Sequence, residues 1–204
     1  MKNVIKFSAL FLLLVVFPLG SFYYLYQGRA YFRANMKMLE AKGKVPAFEY
    51  YNTEGDTISQ QKMKGSVWVV HWVPDNCTDC KPIFETMDMV SQQFHERKTA
   101  QFVTCTEQAD GSKSSYYTLH DIDAKTKRAN WQFANKFSNA QFQQLLKTEP
   151  SNYHQLILVD DSLNIRKYYD TKDPKSMGLL IRHLAMILPK EKKKEIGFER
   201  EKEK

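Results

Sequence analysis

The sequence predicts an α/β protein, a central mixed sheet flanked by helices, carried behind an N-terminal transmembrane helix. Three observations predict it. Residues 5–26 read IKFSALFLLLVVFPLGSFYYLY, an apolar run of bilayer-crossing length whose one charge, Lys6, lies near its end. Beyond it, short β-branched and aromatic runs bounded by turn residues alternate with stretches whose apolar residues recur at steps of three and four. The chain then closes on two apolar runs joined by DDSLN, a hairpin signal, followed by a last amphipathic helix. A length of 204 residues, 43% of them hydrophobic, is enough for one core with appendages.

The N-terminal run carries Tyr23, Tyr24 and Tyr26 at one end, residues suited to a membrane interface. No small-x-small cleavage site follows it and no cysteine is available for lipidation, so residues 1–27 read as a cytoplasmic tip and a retained anchor. Residues 28–44, GRAYFRANMKMLEAKGK, read as a helical stalk or linker with little apolar periodicity, ended by Gly43 and long enough to hold a domain off the membrane. The domain proper is expected at 45–188. Residues 189–204 mix both charge signs with almost no apolar content and read as a solvated, disordered tail. The net charge of +7 is concentrated in these flanks, and no recognisable module accompanies it, so no nucleic-acid partner is expected.

Within the domain, residues 45–51 are extended, turn at Glu54-Gly55-Asp56 and return at Thr57-Ile58 as a short edge hairpin. Gly65 breaks the chain before Val67, Trp68, Val69, Val70, Trp72 and Val73, a buried strand stopped by Pro74-Asp75-Asn76. Cys77-Thr78-Asp79-Cys80 follows, and then a helix built on Ile83, Phe84, Met87, Val90 and Phe94. Residues 100–106 form a second strand. Residues 108–127 are polar, with a helix expected around 116–122, and Trp131 and Phe133 mark a short apolar patch. Residues 140–147 form a helix capped by Ser138 or Asn139. Residues 155–159 are a buried strand, 160–164 a turn and 165–169 its antiparallel return. Asp173-Pro174 opens the last helix, which Pro189 ends. Elements in this order describe an α/β sandwich of thioredoxin type.

The chemistry lies where strand hands over to helix. Two cysteines three apart at the first turn of a helix can bridge, and the helix N-terminus favours a thiolate on the first. Cys77 is therefore the expected nucleophile and Cys80 its resolving partner. A four-sulfur zinc site cannot be built, because Cys105 is the only other cysteine. Cys105 itself reads as core filling on an apolar strand. His71, on the strand that feeds the cysteine segment, reads as a packed residue, and His95, His120 and His183 as helical or polar surface residues.

Four segments carry a family resemblance: VPAFEYYNTEGDTIS, KGSVWVVHWVPDNCTDCKPI, NWQF, and LILVDDSLNIRKYYDTKDPKSMGLLIRHL. Through them the domain resembles the SCO/SenC family of membrane-tethered, thioredoxin-fold proteins. The resemblance is loose over 108–129. It implies a single-pass protein of a bacterial-type inner membrane with its domain on the periplasmic, outer side, although a plain count of flanking positive charges would put that domain in the cytoplasm. It also implies Cu(I) held by two cysteines and a histidine, and a role in building the copper centre of cytochrome oxidase, with an oxidase subunit or a copper carrier as partner.

This chain departs from the family twice. The family separates its cysteines by three residues, whereas Cys77 and Cys80 are separated by two. Asn152 stands where the family has its histidine. His154, two residues on, returns to the same face of an extended chain and completes a candidate copper set with Cys77 and Cys80. Three readings follow: a thiol-disulfide protein working through Cys77 and Cys80, a Cu(I) metallochaperone using the same sulfurs and His154, and an anchored interaction domain without catalysis.

Overall fold

All seven residues of β4 (Val67–Val73) are buried, as expected of a strand with neighbours on both edges and helices over both faces. The structure, a computed structural model, describes residues 2–51, 56–74, 80–106, 130–134, 139–146 and 154–189. With β1 (Gly43–Lys44), β5 (Ala100–Thr106), β6 (Trp131–Ala134), β7 (Gln155–Val159) and β8 (Asn164–Asp170), β4 forms a six-stranded sheet in the order β1-β8-β7-β4-β5-β6. β4, β5 and β6 are parallel to one another, and β7, β8 and β1 each join antiparallel. Two further strands, β2 (Glu49–Tyr51) and β3 (Thr57–Ser59), pair antiparallel as a separate hairpin.

Alternation along β4 divides the core. Val67, Val69 and Val73 join a cluster with Phe84 and Met87 of α4 (Lys81–Gln93) and Leu180 and Leu184 of the last helix, here α6 (Pro174–Ile187). Trp68, Val70 and Trp72 join the opposite cluster, with Met63 of α3 (Gln60–Met63) and Phe142 and Leu146 of α5 (Asn139–Leu146). Helices on both faces of a mixed sheet give the thioredoxin-like arrangement. Asp173 caps α6, its carboxylate accepting from the backbone N–H groups of Lys175 and Ser176.

The N-terminal helix is continuous. α1 (Lys2–Phe11) passes through a π turn (Leu12–Val16) into α2 (Phe17–Met38). The wide turn, in which the Phe17 N–H reaches the Leu12 carbonyl, makes room for Pro18, whose ring would otherwise strike the carbonyl four residues back. The stretch Ile5–Met38 is long and apolar enough to cross a membrane.

The expected stalk differs from expectation over 31–44. Leu39 is buried in the core, the Lys42 N–H donates to the Ile165 carbonyl, and Gly43 and Lys44 form the edge strand beside β8. The buried residues are Asn35 and Leu39, an i, i+4 spacing that hydrophobicity conceals because one member is an asparagine.

The short patch at Trp131 and Phe133 proves to be the edge strand β6, paired with β5 from Phe102↔Trp131 to Cys105↔Ala134. Four residues are too few to show a period, so its strand character comes from the ladder. Among the earlier expectations, Glu54-Gly55, the helix around 116–122, a cap at Ser138 and the tail beyond Pro189 lie outside the described residues.

Candidate functional site

β4 ends at Val73, and Pro74, lacking an N–H, cannot continue a ladder. Cys77 lies outside the described residues. Cys80 is the N-cap of α4, with Pro82 in the first turn, a position where the missing N–H costs nothing. Its carbonyl accepts from the N–H groups of Ile83 and Phe84, at 2.9 and 3.1 Å. Its side chain is fully buried in the cluster of Ile83, Phe84 and Met87, and it is disulfide-bonded.

His154 directly precedes β7. Its carbonyl accepts from the Thr171 N–H at 2.8 Å. β4 and β7 are paired His71↔Leu156, so two more residues of the same register set His154 against Val73. That is the sheet end from which the chain leads to Cys80. His154 also shares the parity of Leu156 and Leu158, which belong to the cluster containing Cys80.

His71 is fully buried. Its ring meets that of Phe84 edge-on, centroids 6.4 Å apart, on the Cys80 side of the sheet. It is packed in the core, as the sequence suggests.

Cys105 is a free, buried thiol. It belongs to the opposite cluster and lines a small apolar cavity of about 20 Å³ with Val45, Met63, Val70 and Leu146. Burial pushes its pKa up, which withholds the thiolate needed for chemistry. Among the described residues, no three or more His, Cys, Asp or Glu side chains are grouped to hold a metal ion.

His183 requires a correction, since it is fully buried and not on a helical surface. Its Nδ1 lies 2.8 Å from the Tyr169 hydroxyl and its Nε2 lies 3.3 Å from Asn35 Oδ1. Asn35 Nδ2 donates to the Tyr31 carbonyl at 2.8 Å, which leaves Oδ1 to accept from Nε2–H. Nδ1 then accepts a hydrogen bond from the Tyr169 hydroxyl, so the imidazole is neutral. Burial, followed by the charges of Lys167 and Arg182, lowers the His183 pKa to about 4. The only sequence signal for this network was the i, i+4 spacing of Tyr31, Asn35 and Leu39.

No protein-family model matches the sequence, and no curated protein is significantly similar to it. Solved structures do match. A SCO1/SenC family lipoprotein from Bacillus anthracis is 18% identical, with 71% of this chain and 95% of that one covered at a TM-score of 0.57. BsSco, a member of the Sco family of cytochrome c oxidase assembly proteins in which a disulfide switch was identified, is 17% identical, covering 72% and 94% at 0.59. The thioredoxin domain of a thiol-disulfide oxidoreductase from Bacteroides vulgatus is 14% identical, covering 71% and 96% at 0.51. The likeness is one of fold.

Proposed function

We propose that this chain is a membrane-anchored thiol-disulfide protein that works through Cys77 and Cys80 in assembling the copper centre of a respiratory cytochrome oxidase. The observation that carries the reading is a disulfide-bonded Cys80 at the N-cap of α4. The proposal pairs Cys80 with Cys77, three residues before it in the sequence, and leaves Cys105, a free thiol, outside the site. The resemblance to SCO/SenC proteins supplies the oxidase context, the inner membrane and the outer-side domain. The apolar N-terminal helix supports anchoring.

In the reaction, the Cys77 thiolate of the reduced pair attacks a disulfide on an oxidase subunit or copper carrier. One sulfur bond forms, one breaks, and one partner thiolate leaves. Cys80 then attacks the Cys77 sulfur and releases the second partner thiolate. Two electrons pass to the partner, the pair ends oxidised, and an upstream dithiol restores it. Burial of Cys80 suits a resolving sulfur, which only Cys77 needs to reach. The test is alkylation trapping across a glutathione redox series, in which Cys77 and Cys80 should change together as a two-electron couple. Independent alkylation of the two at every potential would refute the reading.

A second reading, Cu(I) delivery, is favoured by the register that brings His154 to the Cys80 end and face of the sheet. Reduced Cys77 and Cys80 with neutral His154 are a soft donor set suited to Cu(I) as cargo, and binding would require the disulfide to be opened first. Copper stoichiometry of the reduced protein should fall in His154→Ala and recover when Asn152→His is added. Unchanged tight binding in His154→Ala would remove that residue from the site.

A further inference from the structure

The contacts of the N-terminal helix fix which end of the sheet looks toward the membrane. Going back along the chain toward the apolar segment, Lys42 meets Ile165, Leu39 meets Arg166 at 2.9 Å, Met38 meets Lys167, and Asn35 reaches Tyr169 through His183. These contacts climb β8 in order, so α2 runs antiparallel to β8. β8 is antiparallel to β7 and β7 to β4, which makes α2 antiparallel to β4. The C-terminal end of β4, from which the chain leads to Cys80, therefore points back along α2 toward its apolar N-terminal part.

The spacing is short. Tyr169 pairs with Leu156 and Leu156 with His71, so Asn35 lies about level with His71. Val73 is two residues nearer the membrane, about 7 Å along the strand. The tyrosine cluster ends at Tyr26, nine helical residues from Asn35, or about 13 Å. The Cys80 end of the sheet is thus within about 10 Å of the interface level. Arg29 and Arg33 lie on the helix in that gap, where they can meet anionic headgroups. This latch between helix and domain is held by Leu39, buried in the core, and by the Arg182 guanidinium, which lies over the Tyr31 ring at 5.3 Å.

Resting on the anchored thiol-disulfide reading above, we infer that the Cys80 end of the sheet faces the bilayer at close range, and that its partner is a disulfide-bearing juxtamembrane segment of an integral membrane protein. A soluble carrier would have to enter the narrow space between domain and headgroups. A segment rising from the same bilayer is already there.

The test uses the full chain in vesicles of phosphatidylcholine and phosphatidylglycerol containing a headgroup-nitroxide lipid. A genetically encoded fluorescent residue is placed at position 81, the first residue of α4, or at position 98, in the turn between α4 and β5; both positions are exposed. The helix separates them by about 20 Å, and quenching should be at least about threefold stronger at 81 than at 98.

In the second arm, seven helical residues inserted between Gln27 and Gly28 lift the domain by about 10 Å with a net rotation of only about 20°. Exchange with a transmembrane peptide whose disulfide sits just above the bilayer should fall about tenfold, and recover when the peptide is lengthened by the same two turns. Equal or stronger quenching at 98, or exchange indifferent to the insertion, overturns the inference. Strong quenching at 81 with no exchange in any variant overturns the thiol-disulfide reading and leaves the membrane-facing end standing.

Discussion

Asn35 and His183 stand 148 positions apart in the chain and meet in the interior, Nε2 to Oδ1, at 3.3 Å. With the Tyr169 hydroxyl on the other ring nitrogen, they tie the end of a membrane-spanning type of helix to the sheet and to α6. Each polar atom of the relay is paired with another, which is the condition for burying such a group without a net cost.

His183→Phe keeps an aromatic ring but leaves Asn35 Oδ1 and the Tyr169 hydroxyl without partners. It should destabilise the domain by about 1–3 kcal/mol. Urea unfolding of the full chain in detergent micelles measures this. Amide exchange along residues 31–39 should rise more than that of β4, because the latch is lost before the core.

The same network predicts a pH dependence. The groups facing the imidazole are Tyr169 and Lys167 of β8, Arg182 of α6 and Asn35 of α2, and none is an acid. His183 titrates at about 4 in the native state against 6.5 in the unfolded chain. Above pH 6.5 its contribution is fully present. Between 6.5 and about 4 the unfolded chain takes up a proton that the native state refuses, so stability falls as pH falls. Urea midpoints across this window should slope in the wild type and flatten in His183→Phe.

Asp160 organises the hairpin between β7 and β8. One carboxylate oxygen accepts from the N–H groups of Ser162 and Asn164, and the other accepts from Arg166 Nε at 2.6 Å. Arg166 in turn donates to the Leu39 carbonyl. Burial alone would raise the pKa of Asp160, but the bonds from Asn164 and Arg166 outweigh it and the net shift is downward. Its contribution is therefore present above the unfolded value of 3.8 and lost as pH falls through the lower native value. Asp160→Ala should cost about 3 kcal/mol, measured by denaturant unfolding near neutral pH.

Cys105→Ala should leave the redox behaviour of the cysteine pair unchanged, since it lies in the cluster on the opposite side of the sheet from Cys80. In the native protein Cys105 should resist iodoacetamide until urea exposes it. Rapid native labelling at Cys105 would contradict its burial.

Asp173→Ala removes two backbone partners at the start of α6 and should lower stability by about 1 kcal/mol. Asp173→Asn should restore most of it, a comparison made by thermal unfolding.

Much of the architecture was legible in the sequence because it rests on local periodicity. The runs at 67–73, 100–106 and 155–159 coincide with β4, β5 and β7, and the Asp-Pro start of α6 carries its own cap. The position of Cys80 at the strand-helix junction follows from the same patterns, since turn chemistry and helix spacing act within a few residues. What lay beyond such signals depended on distant partners. β6 is a strand because β5 offers a free edge, and residues 43–44 are a strand because β8 offers the other. His183 looks like a surface histidine until Asn35 and Tyr169 are brought against it. The sequence by itself determined where β4, β5, β7 and the last helix run, and that Cys80 falls at the junction of a strand and a helix. Only the tertiary structure decided that the supposed stalk is docked, that Cys105 and Cys80 lie on opposite faces, and that the anchor helix runs against β4. Those outcomes depend on which surfaces exclude water together, and no local window of sequence contains both surfaces.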